Sequence, residues 1–176
     1  MTFVVFLPVT SVRFSLTGGG ATGTAGEIGH TTLDERGALC YCGNRGCLET
    51  VASGPAITRL VAEGNGEAPS LAEVIERAAA GDVRCRRAIS DAGREIGVAV
   101  AGLCNLINPE RVIIGGLLSR AGSILLQPLR ESIRRHAVQA AAERVDVRAA
   151  SFVERAELLG ALALALRGQR AHEALG

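Results

Sequence analysis

Gly26-Glu27-Ile28-Gly29-His30, followed a short way on by Cys40-Tyr41-Cys42-Gly43-Asn44-Arg45-Gly46-Cys47-Leu48-Glu49, is the stretch around which the 176-residue chain is organised. One histidine and three cysteines fall within eighteen residues. A His/Cys3 set has the donor types of a closed, four-coordinate zinc site. Three thiolates are soft, anionic ligands that favour zinc over magnesium or calcium. Gly43 and Gly46 let the chain turn back, so that Cys47 reaches the metal that Cys42 already holds. With His30, Cys40, Cys42 and Cys47 filling four positions, the metal is structural rather than hydrolytic, because a catalytic zinc keeps one position open for water. The alternative is a disulfide or free thiols. A disulfide leaves one of the three thiols over, and the N-terminal sequence lacks the basic region and cleavage site of a signal peptide. Glu27 and Glu49 flank the ligands, and a structural site does not need them. They are available for another task.

Composition narrows the field. The chain is 48% hydrophobic and 21% charged, as expected of a globular protein with one sizeable core or two small lobes. Four Phe, one Tyr and no Trp leave the core to Ala, Leu, Ile and Val and offer few stacking platforms for bases or sugar rings. A formal net charge of +1 focuses no field toward nucleic acid or an anionic membrane. Hence neither direct DNA contact by this segment nor a membrane association is expected. No apolar run is long enough to span a bilayer, and a cytoplasmic location is expected, where thiols stay reduced.

Outward from the loop, periodicity places the elements. Phe3 to Leu7 reads as a strand stopped by Pro8, and Val12 to Leu16 alternates as a half-buried strand. The two can pair as a hairpin, with Pro8 making the first an edge or terminating strand. Gly18-Gly19-Gly20 is read as a plain loop, because it lacks the Lys-Ser/Thr ending of a phosphate-binding loop. Ser53 caps a helix with Pro55 in its first turn, closed by Gly64-Asn65-Gly66. Ser70 and Glu73 form a capping box for a helix to Ala80. A helix of about 25 residues follows, with Ile89, Ile96, Val100, Leu103 and Ile107 on one face and Gly93, Gly97 and Gly102 on or beside it. The glycines read as a close-packing surface, and Asn108-Pro109 ends the helix. Arg111 to Ile114 is a buried strand, with Gly115-Gly116 at the carboxyl end where α/β sheets bind ligands; a plain tight turn is the equal alternative. Ile124 to His136 is helical with Pro128 as a kink or restart, Val145 to Arg148 an edge-like strand, and Glu154 to Leu166 a last helix. The order is α/β.

The loop closely resembles the signature of the ROK family (repressors, open reading frames, kinases). The resemblance extends through Ala52-Ser53-Gly54-Pro55, Asn108-Pro109-Glu110-Arg111-Val112-Ile113-Ile114-Gly115-Gly116 and Leu158-Leu159-Gly160-Ala161. It implies an actin-like, hexokinase-like (ribonuclease H-like) ATPase fold of two α/β lobes. It also implies either an ATP- and magnesium-dependent sugar kinase or a sugar-responsive regulator with an added winged helix. By the resemblance His30, Cys40, Cys42 and Cys47 hold zinc and Glu27, His30 and Glu49 face sugar hydroxyls. Zinc on one ring nitrogen of His30 leaves the other pointing at the sugar. Gly115 and Gly116 match glycines that approach the nucleotide in kinase members.

Departures qualify this expectation. Residues 1–26 contain no Asp, the residue type of the family's catalytic base, and Leu7 to Arg13 replaces its glycine-rich phosphate hairpin. The chain therefore reads as 1–176 of a partial ROK domain: the second lobe, with an inserted zinc loop (26–49), a helical segment (53–107) and an α/β segment (108–168), without the first lobe or a winged helix. A sugar-sensing lobe of regulator character is the leading reading. A kinase-derived lobe, inactive without its other half, and a zinc-stabilised scaffold or dimerisation module are the alternatives. Weak monosaccharide binding and self-association through exposed apolar surface are expected.

Overall fold

The computed structural model describes residues 2–6, 13–15, 21–22, 24–62 and 68–151. The expected last helix, the 64–66 turn and the 18–20 glycine run lie outside them, as do Pro8 and residues 158–161.

A four-stranded mixed sheet carries the helices, with strands β1 (Thr2–Phe6), β2 (Arg13–Ser15), β3 (Arg111–Gly115) and β4 (Asp146–Ala149) in the order β2-β1-β3-β4. The β1–β2 pair is antiparallel, as the alternating sequence indicates, with Val5 opposite Phe14. β3 runs parallel to both neighbours, Val5 pairing with Ile114 and Val112 with Val147. β1 is not an edge strand. Its described ladder runs from Thr2 to Phe6, and β3 occupies the side that an edge strand would leave open.

Between β2 and β3 lie α1 (Glu49–Ala52), α2 (Gly54–Val61), α3 (Leu71–Ala79) and α4 (Val83–Ile107). After β3 come a 3-10 segment (Leu117–Ala121), α5 (Ser123–His136) and α6 (Gln139–Ala142). The short α1 and α6 carry too little periodicity to be legible in the sequence. The caps at Ser53 and Ser70 are as read. The Ser53 hydroxyl accepts from the Ala56 N–H at 3.4 Å. Ser70 and Glu73 satisfy each other's backbone N–H groups reciprocally. Asp82 caps α4, accepting from the Cys85 N–H at 3.0 Å, and Asn108 closes it in the left-handed conformation with φ 47°. α5 continues through Pro128 as one helix, with no restart.

One core joins Val5, Val112, Ile114 and Val147 of the sheet to Ile89, Ile96 and Val100 of α4 and Leu125, Leu129 and Ile133 of α5. The α4 backbone comes close to the α5 backbone at two glycines. A Cβ on Gly93 would stand 2.6 Å from the Leu125 carbonyl oxygen, and one on Gly97 would stand 2.5 Å from Ser132 Cβ and 2.6 Å from the Leu129 oxygen. Gly102 takes no part. It is exposed, and a Cβ there would meet nothing within 4 Å, because the helix face has rotated away from α5 by that turn.

These glycines therefore separate by consequence. Gly97→Ala should lower stability by about 1–3 kcal/mol through overpacking, whereas Gly102→Ala should raise it by up to about 1 kcal/mol through helix propensity. Urea unfolding of both variants checks the opposite signs.

Candidate metal centre

The cysteine loop is shaped by backbone pairing. Residues 38–40 and 44–46 form a tight hairpin, with Cys40 N–H donating to the Asn44 carbonyl at 2.8 Å and Gly46 N–H to that of Ala38 at 2.9 Å. The far side of the second arm pairs again: Leu33 N–H donates to the Gly46 carbonyl at 2.8 Å and Leu48 N–H to that of Thr31 at 3.0 Å. Cys47 is thereby clamped in the middle of a three-stranded patch. Gly46 makes that clamp possible. Its φ is +62°, and a Cβ there would lie 1.6 Å from the Asp34 carbonyl oxygen. Ile28 and Leu48, both buried, tie the loop's two ends into the core.

The folding of these turns brings all four ligands expected from the sequence together. His30 ends a 3-10 turn (Ile28–His30), and its Nδ1 lies 3.6 Å from Cys40 Sγ. Cys42 Sγ and Cys47 Sγ are 3.7 Å apart. The four donor atoms all lie within 4.8 Å of one another. A tetrahedral ion with metal–sulfur bonds of about 2.3 Å and metal–nitrogen bonds of about 2.05 Å separates two sulfurs by about 3.8 Å and sulfur from nitrogen by about 3.6 Å. The two closest pairs match those edges, so the cluster fits one four-coordinate metal ion. It does not form a disulfide: the sulfurs stand well beyond a bonding distance of about 2.05 Å, and all five cysteines are free thiols.

The electrostatics point the same way. The Asn44 backbone N–H holds the exposed Cys42 thiol below its ordinary range. Cys47 is fully buried, and burial, with the neighbouring thiols, pushes it up to about 12. A divalent cation beside the buried Cys47 thiol reverses that penalty.

Glu27 is half-buried directly before the 3-10 turn that carries His30. Glu49 opens α1 two residues beyond Cys47 and is 5% exposed. The two carboxylates thus bracket the cluster, one at each end of the loop. Tyr41 joins them, a residue to which the motif itself assigns no role. Its hydroxyl is 3.0 Å from His30 Nε2, the ring nitrogen turned away from the thiols. The available signal is its position between two ligands, as the only tyrosine of the chain. Gly115 and Gly116 sit elsewhere, buried at the carboxyl end of β3, where the Ser119 hydroxyl donates to the Gly116 carbonyl at 2.7 Å.

The ROK family profile matches residues 16–168. The chain belongs to the ROK family. Its relatives include a xylose repressor of Caldicellulosiruptor bescii, 36% identical over 84% of this chain and 40% of that protein. A glucokinase of Halalkalibacterium halodurans is 35% identical over 80% of this chain and 47% of that protein. Among solved structures, a ROK family glucokinase from Streptomyces griseus in complex with glucose and AMPPNP is 28% identical, with a TM-score of 0.78 over 93% of this chain and 59% of that one. The ROK chain thus has the α/β, actin-like ATPase fold of these proteins and spans about half their length. Among its described residues no helix is long and apolar enough to cross a membrane.

The loop's dependence on Gly46 is testable without any ligand. Gly46→Ala should abolish hydrogen-exchange protection of the Leu33, Cys40 and Leu48 amides while Ile96 and Val100 stay protected. Gly43→Ala should reduce protection less, because a Cβ there meets nothing within 4 Å and only its left-handed backbone, φ +93°, opposes a side chain.

Proposed function

We propose that the loop is a zinc-held monosaccharide-recognition element and that the chain is the sugar-sensing lobe of a ROK regulator. The observation that carries the reading is the orientation of His30. Nδ1 faces the thiols, so a metal bound there fixes the ring and keeps Nε2 as an N–H donor on the outer side. Zinc suits three thiolates and one imidazole, and its chemistry is to hold the loop and lock the imidazole. Glu27 and Glu49 supply acceptors for neighbouring sugar hydroxyls, beside the donor of His30. Sugar recognition is also the chemistry shared by the names of a xylose repressor and a glucokinase, which match the same region at nearly equal identity.

The second reading is a lobe of an ATP- and magnesium-dependent sugar kinase, with Gly115 and Gly116 toward the nucleotide. The likeness to a glucokinase bound to glucose and AMPPNP favours it. A kinase needs a base for the sugar hydroxyl and a cradle for the triphosphate. Residues 1–26 contain no aspartate and no glycine-rich hairpin at 7–13, so this segment by itself supplies neither. In either case the proposal is of one lobe, which meets a sugar from one side.

Elemental analysis of protein purified without added metal should find about one zinc per chain, and Cys42→Ser should reduce it well below one. Backbone NMR of the zinc-loaded chain should show residues 27–49 shifting with glucose or N-acetylglucosamine, with a Kd on the order of millimolar, about −4 kcal/mol. Glu49→Gln should weaken that binding at least about tenfold, since a hydrogen bond to a charged group is worth about 1.5–3 kcal/mol. Incubation with ATP and magnesium should yield no sugar phosphate; product that follows the purified chain would assign the kinase reading instead.

A further inference from the structure

We infer that Tyr41 is an internal clasp on His30, one that must release Nε2 before a sugar can take it. The inference rests on the proposed sugar site. Tyr41 Oη lies 3.0 Å from His30 Nε2, and the two rings stand edge to face, centroids 5.0 Å apart and planes at 82°. With Nδ1 turned to the thiols, a neutral metal-bound imidazole carries its proton on Nε2, so Nε2–H donates and the phenol oxygen accepts. The phenol therefore stands where a sugar hydroxyl would stand. Its backbone is held on both sides, because Cys40 and Cys42 are both members of the cluster. Its side chain is 77% exposed and can rotate about its own torsions into solvent. Tyr41 thus acts as a positioning residue. It holds the His30 ring in the binding orientation while no sugar is present, and it sets a threshold that a ligand hydroxyl must exceed.

The full chain allows a direct test. Phenylalanine keeps the edge-to-face ring contact and removes only the hydroxyl. Tyr41 is also the only tyrosine, and there is no tryptophan, so intrinsic fluorescence reports this side chain alone. In the zinc-loaded protein without sugar, the His30 Nε2–H proton should exchange with water several-fold faster in Tyr41→Phe than in wild type. Tyr41→Phe should bind glucose or N-acetylglucosamine about two- to tenfold more tightly, the range expected for removing one exposed competing hydrogen bond. Wild-type tyrosine fluorescence should change along the same titration. Unchanged Nε2–H exchange overturns the inference whether or not a sugar binds. Equal or weaker binding by Tyr41→Phe, with both proteins responding to sugar, overturns it and leaves the proposed site standing. Absence of any sugar response in both proteins removes the site and the inference together.

Discussion

The contact of α4 with α5 at Gly93 and Gly97 sets the spacing on which the rest of the molecule is built. With no Cβ at either position, the Leu125 and Leu129 carbonyls approach closer than any side chain would permit. That closeness lets Ile89, Ile96 and Val100 on α4 interdigitate with Leu125, Leu129 and Ile133 on α5 in the same core that receives Val112 and Ile114 from the sheet. Two glycines inside a helix cost about 1 kcal/mol each in propensity. Close packing over the buried stripe offsets that cost. α1 and α2 rest on α4 in turn, so the position of Glu49, at the start of α1, is inherited from this helix pair.

The cysteine loop is held by a different physics. Between Thr31 and Gly46 only Cys40 and Gly46 are buried, while Leu39 and Tyr41 point into solvent at 66% and 77% exposure. A segment with so little apolar surface to bury cannot offset the entropy of ordering it through hydrophobic contact alone. Backbone pairing supplies a scaffold, and the convergence of four soft and borderline donors supplies the rest once a cation joins them. The loop's two ends, by contrast, are fastened by Ile28 and Leu48 to the main core. The loop thus sits as a surface flap on a hydrophobic base, with Glu27 half-buried and Glu49 buried at its two ends.

Much of this is legible in the residues alone. Capping residues at Ser53 and Ser70 and a stripe of apolar residues define helices by local chemistry, and local chemistry needs no tertiary information. The donor set is equally legible: four residues with metal-binding atoms, short spacing, and a glycine where a turn must reverse. ROK membership follows from the same residues. Other features depend on distant pairings and emerge only in the folded chain. β1 is interior because β3, more than a hundred residues later, pairs along it, which Pro8 could not disclose. Gly102 belongs to the surface because helix rotation, invisible to a count of residues, turns it from α5. The outer nitrogen of His30 meets the Tyr41 hydroxyl because a hairpin eleven residues away folds back over the ring, a contact set by turn geometry rather than by residue type.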